Sequence, residues 1–237
     1  MLRKVFGKKP NAIADDQGGL PLVGTPVEGG LQLKSHEVRQ LVVSSAERRG
    51  YPEPARAMIA NRVVWLERRG MFGLAAWILE LVEYAGETLE QRFSMTRPDG
   101  STGRVCPFVF ASLLNDKLDE ITSAEDDQPK VLHAPAHPVL LLPKLASYLG
   151  PTGRLITVYW IVDGKEILRS VMDGFRIAHR GDREHSFEAY MRSDRIAISR
   201  YPEEFEPVPP LSSGHMRDVV VPTTLIGQLV GYMKATA

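Results

Sequence analysis

Residues 35–70, SHEVRQLVVSSAERRGYPEPARAMIANRVVWLERRG, decide the fold of the N-terminal part of the chain, because they predict two consecutive helices. In the first, Val38 and Leu41 begin an apolar face at helical spacing, and the second segment repeats this period. Gly50 and Gly70 follow the two periodic segments, at the position where helices commonly end. The sequence therefore predicts a pair of helices joined by a short link.

A third helix follows this pair. Its apolar residues share one face from Phe72 to Val82, and it ends near Gly86. Short links between such helices favour antiparallel neighbours. We therefore predict a three-helix N-terminal unit over residues 31–86.

The second half of the chain shows patterns typical of strands. Residues 155–162 place Ile156, Val158 and Trp160 on one face, as the twofold period of a strand requires. Asp-Gly dipeptides at 163–164 and 173–174 are typical of tight turns between antiparallel strands. An antiparallel meander is therefore predicted to follow residue 155.

The remaining elements complete an α+β fold, a helical N-terminal unit packed on a mixed, partly antiparallel sheet with flanking helices. Further strands are predicted at 88–95, 133–142, 187–191, 195–199 and 219–221, and further helices at 107–118, at 143–149 and after 223. An extended Gly/Pro-rich arm over 1–30 precedes the helices, and a mixed α/β body over 87–237 follows them. The whole is predicted to form one compact domain.

Composition excludes several classes of protein. The chain has 237 residues with 29 basic and 29 acidic side chains, and its net charge of zero argues against nucleic-acid binding. No stretch approaches the roughly 20 apolar residues of a membrane span, and the basic N-terminus lacks the apolar segment of a secretory signal. A single cysteine excludes an internal disulfide framework. We expect a cytoplasmic protein that contacts neither membrane nor nucleic acid.

Histidines provide weak candidates for catalysis. His137 ends an H-A-P-A-H unit, but Pro135 makes the helix that would pair His133 and His137 on one metal unfavourable. A second group surrounds Gly181 and could bind an anion or move a proton, or could be a solvated hairpin tip. Its candidate residues are His179, Arg180, Arg183 and His185.

Three further residues are candidates on other grounds. Arg62 lies among the apolar positions of the second helix, where a charge needs a carboxylate or a bound anion, and Trp65 is its neighbour. Cys106 precedes a predicted helix N-terminus, whose dipole lowers a thiol pKa. A nucleophilic cysteine also needs a base, which the sequence does not place beside it.

The chain lacks the short motifs of the common enzyme classes. It contains no GxGxxG after a strand, no GxxxxGK[ST], no HExxH and no GxSxG sequence. P-loop hydrolases, zincin proteases and Rossmann dehydrogenases are therefore disfavoured. We predict no cofactor and no metal.

The sequence resembles a bacterial family of uncharacterised proteins, the DUF3726 family. The likeness is carried by S-x-E-V-x-x-L-x-x-x-x-A-x-R-R-G-Y and R-x-V-W-L-E-R-R-G within residues 33–70, by residues 107–118, and by H-P-V-L-L-L-P at 137–143. The Pro-Glu-Pro sequence at 52–54 and the glycine-rich segment before Leu31 depart from it. The resemblance implies a bacterial cytoplasmic setting and transfers no site.

Three functions are compatible with these observations. The first is an accessory or partner-binding subunit of a bacterial enzyme system, without catalytic activity of its own. The second is a small-molecule enzyme that acts on an anionic metabolite by histidine acid/base chemistry. The third is a homo-oligomeric structural or regulatory protein with residues 35–85 at its interface. The expected partners are thus another protein, a second copy of the chain, or an anionic small molecule.

Overall fold

The computed structural model confirms an α+β fold. It describes residues 25–94, 104–114, 118–121, 128–132, 136–175, 177–180, 189–193, 195–200 and 219–235. The helices are α1 (Ser35–Arg48), α2 (Glu53–Glu67), α3 (Gly73–Glu83), α4 (Leu89–Phe93), α5 (Pro107–Leu113), a 3-10 helix (Pro138–Leu141), α6 (Leu142–Thr152) and α7 (Thr223–Ala235). The strands are β1 (Thr25–Val27), β2 (Gly30–Leu33), β3 (Lys130–Leu132), β4 (Ile156–Val162), β5 (Lys165–Met172), β6 (Ile177–Arg180), β7 (Arg195–Arg200) and β8 (Val219–Pro222).

The strands form two sheets in the described part of the chain. One has the order β3-β7-β4-β5-β6 and the other the order β1-β2-β8, and each pairing among them is antiparallel. The predicted hairpin joins β4 to β5 through Asp163 and Gly164, whose φ angles of 50° and 76° are those of a primed turn. The antiparallel character predicted from the sequence thus extends to all described pairings.

The three predicted N-terminal helices are confirmed. Gly50 and Gly70 follow α1 and α2 with φ angles of 91° and 67°, a left-handed conformation that favours glycine. At the start of α3, a Cβ atom on Gly73 would lie 2.6 Å from Leu66 Cβ, so α2 and α3 approach closely there. The N–H of Leu74 donates to Glu67 Oε1 at 2.6 Å, which satisfies one backbone donor of the α3 N-terminus.

One continuous core joins the helices to the larger sheet. Trp77 of α3 and Trp160 of β4 are fully buried in it. Trp77 Nε1 donates to Ser45 Oγ at 2.9 Å, and Trp160 Nε1 donates to Ser170 Oγ at the same distance. Each buried indole therefore has a hydrogen-bond partner, as burial of an N–H group requires.

The strand prediction for residues 88–95 is wrong, because Leu89–Phe93 forms α4. Thr88 and Gln91 make a capping box: Thr88 Oγ1 accepts from the Gln91 N–H at 3.2 Å, and Gln91 Oε1 accepts from the Thr88 N–H at 2.7 Å. The T-x-x-Q spacing is a helix-start signal that outweighs the alternation of polar and apolar residues.

Two further strand predictions are also wrong. In the segment predicted over 133–142, Pro138–Leu141 forms a 3-10 helix that continues into α6. Pro138 supplies a fixed φ and no N–H, which suits a first helical turn, and short apolar runs do not distinguish a strand from a buried helix. In the segment predicted over 187–191, the described residues 189–191 are helical.

The described end of the predicted N-terminal arm lies on the same chain. Thr25–Val27 pairs with β2, and β2 pairs in turn with β8. Residues 1–24 lie outside the described part. Among the described residues, no helix has both the length and the apolar character needed to cross a membrane.

Candidate functional site

A cleft of about 730 Å³ opens where α1 and α2 meet the turn after β5. We call it the arginine cleft. Its lining residues are Ser35, His36, Arg39, Asn61, Val64, Trp65, Arg68, Arg69 and Phe175. None of these nine is acidic, whereas three are arginines.

The local sequence explains how these side chains come together. Asn61, Val64, Trp65 and Arg68 follow the i, i+3, i+4, i+7 spacing that places residues on one face of a helix. The α2 face meets the first turns of α1, which carry Ser35, His36 and Arg39. One face of α1 and one face of α2 therefore form two walls of the arginine cleft.

The turn after β5 forms the third wall of the arginine cleft, beside α1 and α2. The Phe175 N–H donates to Asp173 Oδ1 at 2.6 Å, which closes an Asx turn after β5. A Cβ atom on Gly174 would lie 2.2 Å from Gly150 Cα, so only glycine allows this approach to α6. The turn thereby places Phe175 at the rim of the cleft, with 69% of the residue exposed.

Arg69 holds that turn to α2. Its Nε and Nη2 donate to the Phe175 carbonyl oxygen at 3.2 and 2.5 Å, and its Nη1 donates to the Trp65 carbonyl oxygen at 3.0 Å. The guanidinium also lies over the Trp65 ring, 3.7 Å from the centroid. Burial and the positive charge of Arg68 lower the pKa of Arg69, and the Asp173 carboxylate acts in the opposite direction.

The other two arginines face solvent. Arg39 donates to Asn61 Oδ1, a neutral acceptor. Arg68 is exposed at the C-terminal end of α2. Within the described part of the chain, no carboxylate forms an ion pair with Arg39, Arg68 or Arg69. The arginine cleft is accordingly a concentration of positive charge at its surface.

Of the candidates taken from the sequence, Trp65 lies in the arginine cleft and Arg62 does not. Arg62 turns to the interior, where its guanidinium lies 5.6 Å from the centroid of the Phe108 ring. Burial lowers its pKa, and its Nη1 is buried without a hydrogen bond to any described group. The expected carboxylate partner of Arg62 is thus absent from the described residues.

Cys106 and His137 are buried in the interior of the protein, away from the arginine cleft. The Cys106 thiol is 3.2 Å from the Tyr51 hydroxyl, and His137 Nε2 is 3.2 Å from Glu83 Oε2. Burial raises the pKa of Cys106, so the expectation of a helix-lowered thiol pKa is wrong. Desolvation of the thiolate exceeds the effect of the short α5 helix, and the thiol stays neutral.

The same interior contains a buried ion pair. Arg92 Nη2 lies 2.7 Å from Glu80 Oε1, and the two residues are 1% and 4% exposed. Burial raises the pKa of Glu80 despite the neighbouring Arg92. Arg92 also lies over the Tyr84 ring, 3.6 Å from its centroid. We call Tyr51, Glu80, Arg92, Cys106 and His137 the interior cluster.

The remaining candidates are placed only in part. His179 and Arg180 belong to β6, opposite Ser170 and Arg169 of β5, and their side chains are not described. Arg183 and His185 lie outside the described residues. In the described part, no three His, Cys, Asp or Glu side chains are close enough to bind a metal ion.

Comparisons with protein families, with curated proteins and with solved structures find no match to this chain. The resemblance to the DUF3726 family therefore stays a prediction. Function has to follow from the residues of the site itself.

Sequence reasoning missed most of the arginine cleft. Nothing in the sequence marks Arg39, Arg68 or Phe175 as part of a site, since each has the pattern of an ordinary surface residue along its own segment. The helical spacing from Asn61 to Arg68 could have identified a polar stripe beside Trp65. No pattern in the sequence could have brought Phe175 to that stripe, because the contact joins residues about a hundred positions apart.

Proposed function

We propose that the protein is a binding protein of the cytoplasm, an accessory subunit that holds a small organic anion in the arginine cleft and performs no chemistry of its own. One observation carries the proposal. Three arginines line the arginine cleft, and their described hydrogen-bond partners are neutral oxygens.

The electrostatics favour an anion in this position. Guanidinium groups stay protonated at neutral pH, and like charges that share a cleft repel one another. An anion relieves this repulsion and forms charge-assisted hydrogen bonds, for which arginine has a planar set of donors. Burial lowers the pKa of Arg69, and the positive charge of Arg68 acts in the same direction.

The position of the titratable candidates supports binding without catalysis. Acid/base catalysis needs a proton carrier within hydrogen-bond reach of the substrate. Cys106 and His137 are buried in the interior cluster and do not line the arginine cleft. His36 lines it, but within the described residues no hydrogen bond orients its side chain for proton transfer.

Calorimetric titration of the full chain with methyl phosphate tests the proposal. We expect the double variant R39A/R68A to weaken binding at least about ten-fold, since a hydrogen bond to a charged group contributes about 1.5–3 kcal/mol. The matched control is K165A/R169A on β5, which removes two positive charges outside the cleft and should retain the affinity. Equal losses in both variants, or no binding by the unmodified chain, would overturn the proposal.

Native mass spectrometry of the protein purified from its own cells tests the accessory role. We expect a small anion or a second polypeptide at fixed stoichiometry to remain bound to the unmodified chain. A purified chain that turns over a substrate by itself, with activity lost in a His137 variant, would favour the enzyme hypothesis instead.

A further inference from the structure

The most exposed of the large apolar side chains in the described residues is Phe175, at 69%. The others of this group, Val220, Phe93 and Val131, are 55%, 42% and 40% exposed. A ring left in water at the rim of a charged cleft retains its apolar surface for contact with a ligand. This surface is therefore a candidate for the part of the ligand that carries no charge.

The backbone that carries Phe175 is held from three directions. Its N–H is bound by Asp173, its carbonyl oxygen by Arg69, and the preceding Gly174 fits against Gly150 of α6. A side chain on a fixed backbone loses little conformational freedom on binding, which lowers the entropic cost of contact. The turn thus holds the backbone of an exposed aromatic residue in a fixed position at the rim of the cleft.

The hydrogen bonds of Arg69 determine which arginines remain for the anion. Its Nε, Nη1 and Nη2 all bind backbone oxygens, and its guanidinium covers the Trp65 ring. Arg39 and Arg68 are the remaining two, and together they carry two positive charges. A doubly charged anion matches this pair better than a singly charged one.

We infer that the anion bound in the arginine cleft is a phosphate dianion attached to an aromatic ring, with Arg39 and Arg68 on the phosphate and Phe175 stacked on the ring. This inference rests on the proposed function, since it names the ligand class of the same site. Phe175 is its specificity residue, and Arg69 is a positioning residue that holds the Phe175 turn.

Calorimetric titrations with phenyl phosphate, methyl phosphate and benzoate test the inference. We expect phenyl phosphate to bind about five-fold more tightly than methyl phosphate, the effect of one good ring–ring contact. We expect benzoate, with one charge, to bind more weakly than phenyl phosphate. The preference for the ring should disappear in F175L and persist in F175Y, and the control K165A/R169A, which lies outside the cleft, should retain both affinities.

The outcomes separate the two proposals. Binding of methyl phosphate that depends on Arg39 and Arg68, with no preference for phenyl phosphate, would overturn the ring contact and leave the proposed function standing. A preference for phenyl phosphate that persists in F175L would show that Phe175 does not contact the ring of the ligand. Benzoate that binds as tightly as phenyl phosphate would overturn the assignment of a dianion. If none of the three anions binds the unmodified chain, the proposed function is contradicted as well.

Discussion

Two arginines in this protein lie over aromatic rings at almost the same distance, Arg92 at 3.6 Å from the Tyr84 centroid and Arg69 at 3.7 Å from the Trp65 centroid. Their surroundings differ in burial and in the presence of a carboxylate partner. Arg92 is 1% exposed and forms an ion pair with Glu80, whereas Arg69 binds only backbone oxygens among the contacts described above. The position of an arginine over a ring therefore does not show by itself what the arginine does, whereas an ion pair with a carboxylate does.

The difference has an energetic meaning. In the interior cluster the charges of Glu80 and Arg92 compensate each other, and removal of Arg92 leaves the Glu80 carboxylate buried without its ion-pair partner. In the arginine cleft Arg39 and Arg68 are exposed to solvent, so their removal should cost the fold little, and their positive charges favour an anion. One region stabilises the fold, and the other is available for binding.

The largest effect is expected in the interior cluster. Replacement R92M leaves the Glu80 carboxylate buried without its ion-pair partner and should lower the free energy of unfolding by about 3–5 kcal/mol. Urea denaturation measures this loss. The double variant E80L/R92M should recover much of it, because it removes both charges.

The matched variant in the arginine cleft sharpens the comparison. R68M should change the free energy of unfolding by no more than about 0.5 kcal/mol, as is usual for an exposed side chain. A loss of stability in R68M comparable with that in R92M would contradict the division between the two regions.

A smaller effect is expected at Glu67, the residue immediately before Arg68. Its carboxylate caps α3 instead of entering the arginine cleft, and burial raises its pKa from 4.5 to about 7. The unfolded chain therefore releases this proton at a lower pH than the folded one. The contribution of Glu67 to stability is complete below pH 4.5 and is lost as the pH rises through about 7.

Variant E67Q provides the measurement. It keeps an oxygen acceptor for the Leu74 N–H and removes the titration. The free energy of unfolding of the unmodified protein should therefore fall by about 3 kcal/mol more than that of E67Q over this pH range. Urea denaturation at a series of pH values determines both curves. Identical pH dependence in the two proteins would show that the Glu67 carboxyl titrates normally.

The comparison also shows what the sequence reveals about the fold. The three N-terminal helices and the β4–β5 hairpin were predictable because their signals are local: apolar residues at helical spacing, Gly50 and Gly70 after helices, and an Asp-Gly turn. Residues 88–95 and 133–142 were misassigned because short apolar segments fit a strand and a helix alike, and capping and proline decided between them.

The site was less predictable than the fold. Arg62 and Trp65 are three residues apart on α2, yet Arg62 turns to Phe108 and Trp65 lines the arginine cleft. The position of Cys106 before a helix predicts a lowered thiol pKa, but burial raises that pKa. Both outcomes depend on which segments pack around α2 and α5, and these contacts join residues far apart in the chain.

Quenching of tryptophan fluorescence tests the central claim most directly. Of the three tryptophans, Trp77 and Trp160 are fully buried, so Trp65 in the arginine cleft is the one that a dissolved ion reaches. A surface that is positively charged concentrates anions and repels cations. We predict that iodide quenches Trp65 more strongly than caesium at equal concentration, and that this difference falls in R39A/R68A and is lost in W65F. Equal quenching by the two ions in the unmodified protein would contradict an anion-binding cleft.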